Sequence, residues 1–134
     1  CTRCCYNTYS DMKQLLLLLL LFTTNIVAQE FVTSSSFDSK TAKGTVVIEF
    51  YVEWNDGNKV AFLPSLKDCN VYRVDISKSS DIQGNFKVTS VPTVIIFDNG
   101  VEQSRFNPTI MMQLDATKKE VQSVIDIITF NKFQ

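Results

Sequence analysis

The 134-residue chain contains no histidine. That removes the commonest general base, the usual partner of a serine or cysteine nucleophile, and the commonest metal ligand. Glycine is scarce, at four residues, and no glycine-rich phosphate loop or aspartate-rich calcium loop is present. The formal net charge is −1, so a basic surface for nucleic acid is also missing. Nothing in the residues calls for a cofactor or a metal. Cysteine is sparse where it matters: Cys1, Cys4 and Cys5 crowd the amino end, and only Cys69 lies beyond it. What is abundant is apolar character, 45% of residues, enough to give a chain of this length one domain with its own core.

The amino end reads as a targeting segment. Met12 and Lys13 precede seven leucines, Leu15 to Leu21, and Phe22; a polar patch and then Ile26-Val27-Ala28 follow. A short basic start, a brief apolar run and a small residue at the end form a signal peptide over residues 12–28. The run falls well short of the roughly 20 apolar residues that span a bilayer. Residues 1–11 are then a leader or a short extension, and residues 29–134 the folded domain. The expectation is a protein exported to the periplasm or the extracellular space, without a membrane span once the signal is removed. Its single cysteine permits no internal disulfide, so the fold must rest on packing alone.

Within that domain, Thr33 to Ser36 can cap a brief helix reaching Lys43, which Gly44 ends. Thr45 to Val52 is β-branched and aromatic on both faces, as a central strand would be. Lys59 to Lys67 is expected to be helical, interrupted by Pro64. Val71 to Ile76 alternates as a strand, and Ser80 or Asp81 can cap a short helix carrying Ile82 and Phe86. Thr93 to Phe97 and Val101 to Arg105 flank Asn99-Gly100, a strong hairpin signal. From Asp115 onward, Val121, Val124, Ile125 and Ile128 recur at helical spacing. This order predicts an α/β sandwich with a central mixed sheet and helices on both faces.

Two of these stretches resemble the thioredoxin family. Glu49-Phe50-Tyr51-Val52-Glu53-Trp54, a four-residue turn, Lys59 and then Pro64 are similar to that family's active-site strand and helix. Ser90-Val91-Pro92-Thr93, followed by Val94 to Gly100, is similar to its cis-proline loop and hairpin. The resemblance covers about Phe31 to Phe130 and implies a thioredoxin-like three-layer sandwich with a cis bond at Val91–Pro92. It also implies a peptide groove lined by Tyr51, Trp54, Val91, Pro92 and Thr93. The segment between Trp54 and Asp75 is shorter than usual, and Pro64 sits one position late.

The chemistry departs from the family. Its Cys-x-x-Cys falls on Asn55, Asp56, Gly57 and Asn58. Thiol–disulfide exchange needs a thiolate to attack a sulfur and a second thiol to resolve the product, and an amide does neither. The resemblance places Glu49 where the family has a buried carboxylate, and Arg73 where it often has a lysine. Their alternatives are a proton relay, whose cysteine is gone, or a buried ion pair. Cys69 is a lone redox thiol, a site for mixed disulfides, or a small core residue. The resulting expectation is a binding module for a protein or peptide, not an enzyme. The alternative is a thiol–disulfide oxidoreductase working through Cys69 or beside a redox-active partner. Met111 and Met112, within Asn107 to Leu114, offer a second adaptable apolar surface.

Overall fold

The computed structural model describes residues 29–134; the leader and signal-peptide readings lie outside the described residues. Five strands form one mixed sheet in the order β1-β3-β2-β4-β5. They are β1 (Glu30–Phe31), β2 (Thr45–Tyr51), β3 (Asn70–Asp75), β4 (Thr93–Asp98) and β5 (Val101–Phe106). Strand β3 runs parallel to β1 and β2, whereas β4 is antiparallel to both β2 and β5. The continuous apolarity of β2 follows from this position, because strands flank it on both sides and Thr45 to Phe50 are all buried. Asn99 and Gly100 both adopt positive φ, 48° and 82°, the conformation that a tight hairpin between β4 and β5 requires.

Among the described residues three α-helices cover the sheet: α1 (Ser34–Thr41), α2 (Ser80–Asn85) and α3 (Lys118–Asn131). Helix α1 starts at Thr33, whose N–H donates to Ser36 Oγ at 3.1 Å. Thr117 caps α3: its Oγ1 accepts from Glu120 N–H, and the Glu120 carboxylate accepts in return from Thr117 N–H at 2.7 Å. On one face of the sheet Phe37 of α1 and Ile82 of α2 pack with Ile48, Phe50, Val74, Ile95 and Phe97. On the other, Val121 and Ile125 of α3 pack with Val47, Val94, Ile96, Leu63 and Leu66. Phe37, Phe86 and Phe97 meet with ring centroids 5.1–5.7 Å apart, joining α1, α2 and β4.

The α-helix expected over Lys59–Lys67 does not form. A 3-10 turn, Glu53–Asn58, precedes the span, and within it only a second short one, Leu63–Ser65, is present. Lys59 is extended, with ψ 147°, and so is Leu66, with ψ 151°. The burial pattern gives the reason. Val60, Leu63 and Leu66 are buried at every third position. An α-helix starting its stripe at Val60 would turn Pro64 and Lys67 inward instead, and both are exposed.

Candidate functional site

The turn Glu53–Asn58 leaves the end of β2 and meets two other loops, one at Val91–Pro92 and one at Asn107–Leu114. The Val91–Pro92 bond is cis. Asn55 is buried at 9% exposure, and its side chain joins all three loops. Its Nδ2 donates to the Val91 carbonyl at 3.4 Å and to the Met112 carbonyl at 3.3 Å. Its Oδ1 accepts from Asn58 Nδ2 at 2.8 Å, and Asn58 Oδ1 accepts from Gln113 Nε2 at 3.4 Å. A chain of amides therefore runs across the site. Every member is neutral at any ordinary pH, and none has a proton to give or a lone pair free to attack carbon or sulfur.

Beneath this loop lies a charged cluster. Glu49 is fully buried; its Oε2 accepts from Arg73 Nε at 2.9 Å and its Oε1 from Val60 N–H at 2.9 Å. Burial pushes the Glu49 carboxyl above its usual range, against the opposing pull of the Val60 N–H and Arg73. The second arm of Arg73, Nη2, sits 2.7 Å from Asp56 Oδ1. The two atoms attract as charges without hydrogen-bond alignment, for neither has an aligned partner. The guanidinium also lies 3.8 Å over the Tyr51 ring. Arg73 thus fastens the turn to the sheet from below, while Asn55 fastens it from the side.

The residues expected to line a groove divide into two groups. Val91, Pro92 and Thr93 are buried, and the Val91 carbonyl is occupied by Asn55. Thr93 Oγ1 donates within its own turn, to Ser90 O at 2.7 Å. Tyr51 faces Arg73 and Phe31 rather than joining Trp54. Trp54 is 72% exposed, and the tip of the 107–114 loop is exposed too, with Ile110 at 99% and Met111 at 72%. That loop folds back on itself through a Pro108–Leu114 bridge and a Met112 N–H bond to Thr109 O, and Met112 has φ 55°. Cys69 stands apart at the start of β3. Burial, with the Asp68 charge adding to it, pushes its thiol up to about 11. Among the described residues no three His, Cys, Asp or Glu side chains gather as metal ligands, and no helix is long and apolar enough to cross a membrane.

The sequence model of the family described as Thioredoxin matches residues 28–123. The chain belongs to the thioredoxin family. Curated thioredoxins similar to it include thioredoxin-1 of Saccharomyces cerevisiae, 29% identical over 63% of this chain and 91% of that protein. The thioredoxin of Mycoplasma genitalium is 28% identical over 48% of this chain and 70% of its own length. Among solved structures, a mutant thioredoxin from Halobacterium salinarum superposes with a TM-score of 0.58 at 19% identity, covering 74% of this chain and 88% of that one. A designed protein gives a TM-score of 0.61 at 18% identity, covering 76% and 98%. At such identities the structural likeness concerns the thioredoxin fold alone.

Two contributors to this thioredoxin-family site carry no signal in the sequence. Gln113 extends the amide chain, and Asp56 reaches Arg73, each across a loop whose path is set by tertiary packing. Opposite charges 17 positions apart have no periodicity to betray them.

Proposed function

We propose that this thioredoxin-family protein is an exported binding module for a protein or peptide, with no dithiol redox activity. The observation that carries this reading is the amide chain. Asn55 and Asn58 stand where the family resemblance puts the two sulfurs, and Asn55 spends its donors on the neighbouring loops. Cys69 gives little support to a redox alternative, because a thiol held near 11 is almost wholly protonated at neutral pH. Exposed apolar side chains support a binding role: Trp54 and the Ile110–Met111 tip sit on loops that Asn55 joins.

Dithiothreitol-driven insulin reduction by the protein is expected to match the uncatalysed rate. Turnover comparable to a dithiol thioredoxin would sink the reading, and a Cys69→Ser variant would then show whether the lone thiol is responsible. Export rests on residues 12–28. Expressed in its own cells, the protein is expected to yield a mature amino terminus at Gln29; material still starting at Met12 or earlier would refute this.

A further inference from the structure

At the carboxyl ends of the three parallel strands, lined by none of the amide-chain residues, the structure forms an open hollow of about 280 Å³. The last residues of these strands, Phe31, Tyr51 and Asp75, line it together with Thr33, Lys78 and Ser79. It is slightly smaller than the roughly 300–1,000 Å³ typical of sites for whole small molecules. That is room for one extended side chain or a small amine. The aromatic rings of Phe31 and Tyr51, with centroids 6.0 Å apart, form an apolar wall.

Asp75 supplies the charge. The residue is 8% exposed, and its two oxygens have different fates. Oδ1 accepts from both the N–H and the hydroxyl of Ser77, at 2.9 and 2.5 Å. Oδ2 is buried with no hydrogen-bond partner. Arg73, two residues earlier on β3, is already engaged by Glu49 and Asp56. What remains within reach is Lys78, whose Nζ lies 3.6 Å from Oδ2 on a side chain that is 73% exposed. That distance is too long for a hydrogen bond, and a lysine so exposed is free to leave.

We propose that this hollow binds an alkylammonium group, with Asp75 as its counter-ion, Phe31 and Tyr51 as its wall, and Lys78 as the displaceable occupant. The geometry selects an ammonium over other cations. A guanidinium pairs best with both oxygens of a carboxylate at once, and here only Oδ2 lacks a hydrogen bond, which suits a point charge that takes the place of Lys78. A hard divalent ion takes six or more oxygen ligands, and one free carboxylate oxygen falls short of that. The group is either the side chain of a lysine in a partner or a free amine, and the two share one chemistry. The inference does not depend on the loop at Asn55 or on the absence of redox activity.

Amide chemical shifts of the full chain can be followed while n-butylammonium, or N-acetyl-lysine-N-methylamide, is added at constant ionic strength. n-Butanol serves as the uncharged control. Saturable shifts confined to Phe31–Thr33, Tyr51 and Asp75–Ser79 are expected with the charged probes and not with butanol. The tighter of the two probes identifies the source, a free amine or a lysine side chain. Lys78→Gln removes the competitor from an exposed position and is expected to tighten binding by about two- to fivefold, the scale of an exposed ion pair. Asp75→Asn keeps an acceptor for Ser77 and is expected to weaken binding by about tenfold or more, as for a bond to a charged group. Shifts that stay linear with concentration, equal shifts with butanol, or a Lys78→Gln variant that binds no tighter than the parent would overturn the proposal. Should Asp75→Asn fail to fold, the Lys78→Gln comparison decides alone.

Discussion

Replacing Arg73 with methionine is expected to cost about 3–5 kcal/mol of stability, the range for removing one partner of a buried ion pair. Three interactions go at once. The Glu49 carboxylate loses its 2.9 Å partner in a fully buried setting, Asp56 loses the cation beneath it, and the Tyr51 ring loses the guanidinium stacked on it. Urea unfolding of parent and variant measures the loss directly, and an unchanged midpoint would show that the pair carries no weight. Combining Glu49→Gln with Arg73→Met is expected to recover part of the loss, because the stranded charge is then removed.

The same variant should change how stability depends on pH. Burial holds the Glu49 carboxyl above its ordinary 4.5, while the Val60 N–H and Arg73 pull it down. A raised value means that the folded state holds the proton more tightly than the unfolded chain does. The group's contribution is therefore greatest below the unfolded value and is lost as pH rises through the folded one. Without Arg73 one downward pull is gone and the folded value climbs further. Arg73→Met should therefore fall behind the parent more steeply as pH increases from about 5 to about 7. Parallel unfolding curves at the two pH values would contradict this.

The second large effect concerns restoring two sulfurs. The Asn55→Cys, Asn58→Cys double variant is expected to close a disulfide yet work poorly as a reductase. A helix mouth lowers a thiol's pKa through its free N–H groups and dipole. Here a 3-10 turn ends at Asn58, Lys59 is extended, and no α-helix follows. Position 55 is nearly buried and faces the carbonyls of Val91 and Met112, which favour a thiol over a thiolate. A thiol at or above the ordinary value of about 8.5 is only a few per cent ionised at pH 7, against half for one near 7. Insulin reduction should accordingly run about tenfold or more below that of a dithiol thioredoxin and rise with pH. Alkylation by iodoacetamide as a function of pH reads the thiol directly, and an apparent pKa under about 7 would overturn the argument.

The sheet was legible because its strands are runs of β-branched and aromatic residues, and because Asn99-Gly100 marks the only turn that can close its antiparallel edge hairpin. Glu49 and Arg73 could be paired from the family resemblance, since their strands are neighbours in register. The segment after Trp54 departs from the helix expected there for a physical reason. Lys59, Ala61, Leu63 and Leu66 favour helix locally, but the sheet asks for apolar contacts every third residue and the segment is too short to supply a longer stripe. Propensity lost to packing. Strand β1 leaves no signal in the sequence, because two residues are too few to show any alternation. The amide chain was half visible: the asparagines were plain as substitutes for sulfur, but their bonds to Val91 and Met112 belong to how three loops converge.

The absent helix has a consequence for how the molecule opens. Within residues 59–69 the backbone bonds are short-range only, Leu63 N–H to Val60 O, Ser65 N–H to Phe62 O and Leu66 N–H to Leu63 O, in place of an α-helical ladder. The segment is tied to the rest of the fold by Val60 N–H on the Glu49 carboxylate and by Lys67, whose N–H and carbonyl both pair with the Gln122 side chain. Val60, Leu63 and Leu66 also pack into the core against α3, so detaching the segment breaks no bond of the sheet but exposes that part of the core, and its amides are expected to exchange at a lower opening free energy than those of the strands. Release of Val60 N–H would leave a buried Glu49 oxygen without its backbone donor, so opening at this end carries a cost that opening at the exposed Lys67 end does not.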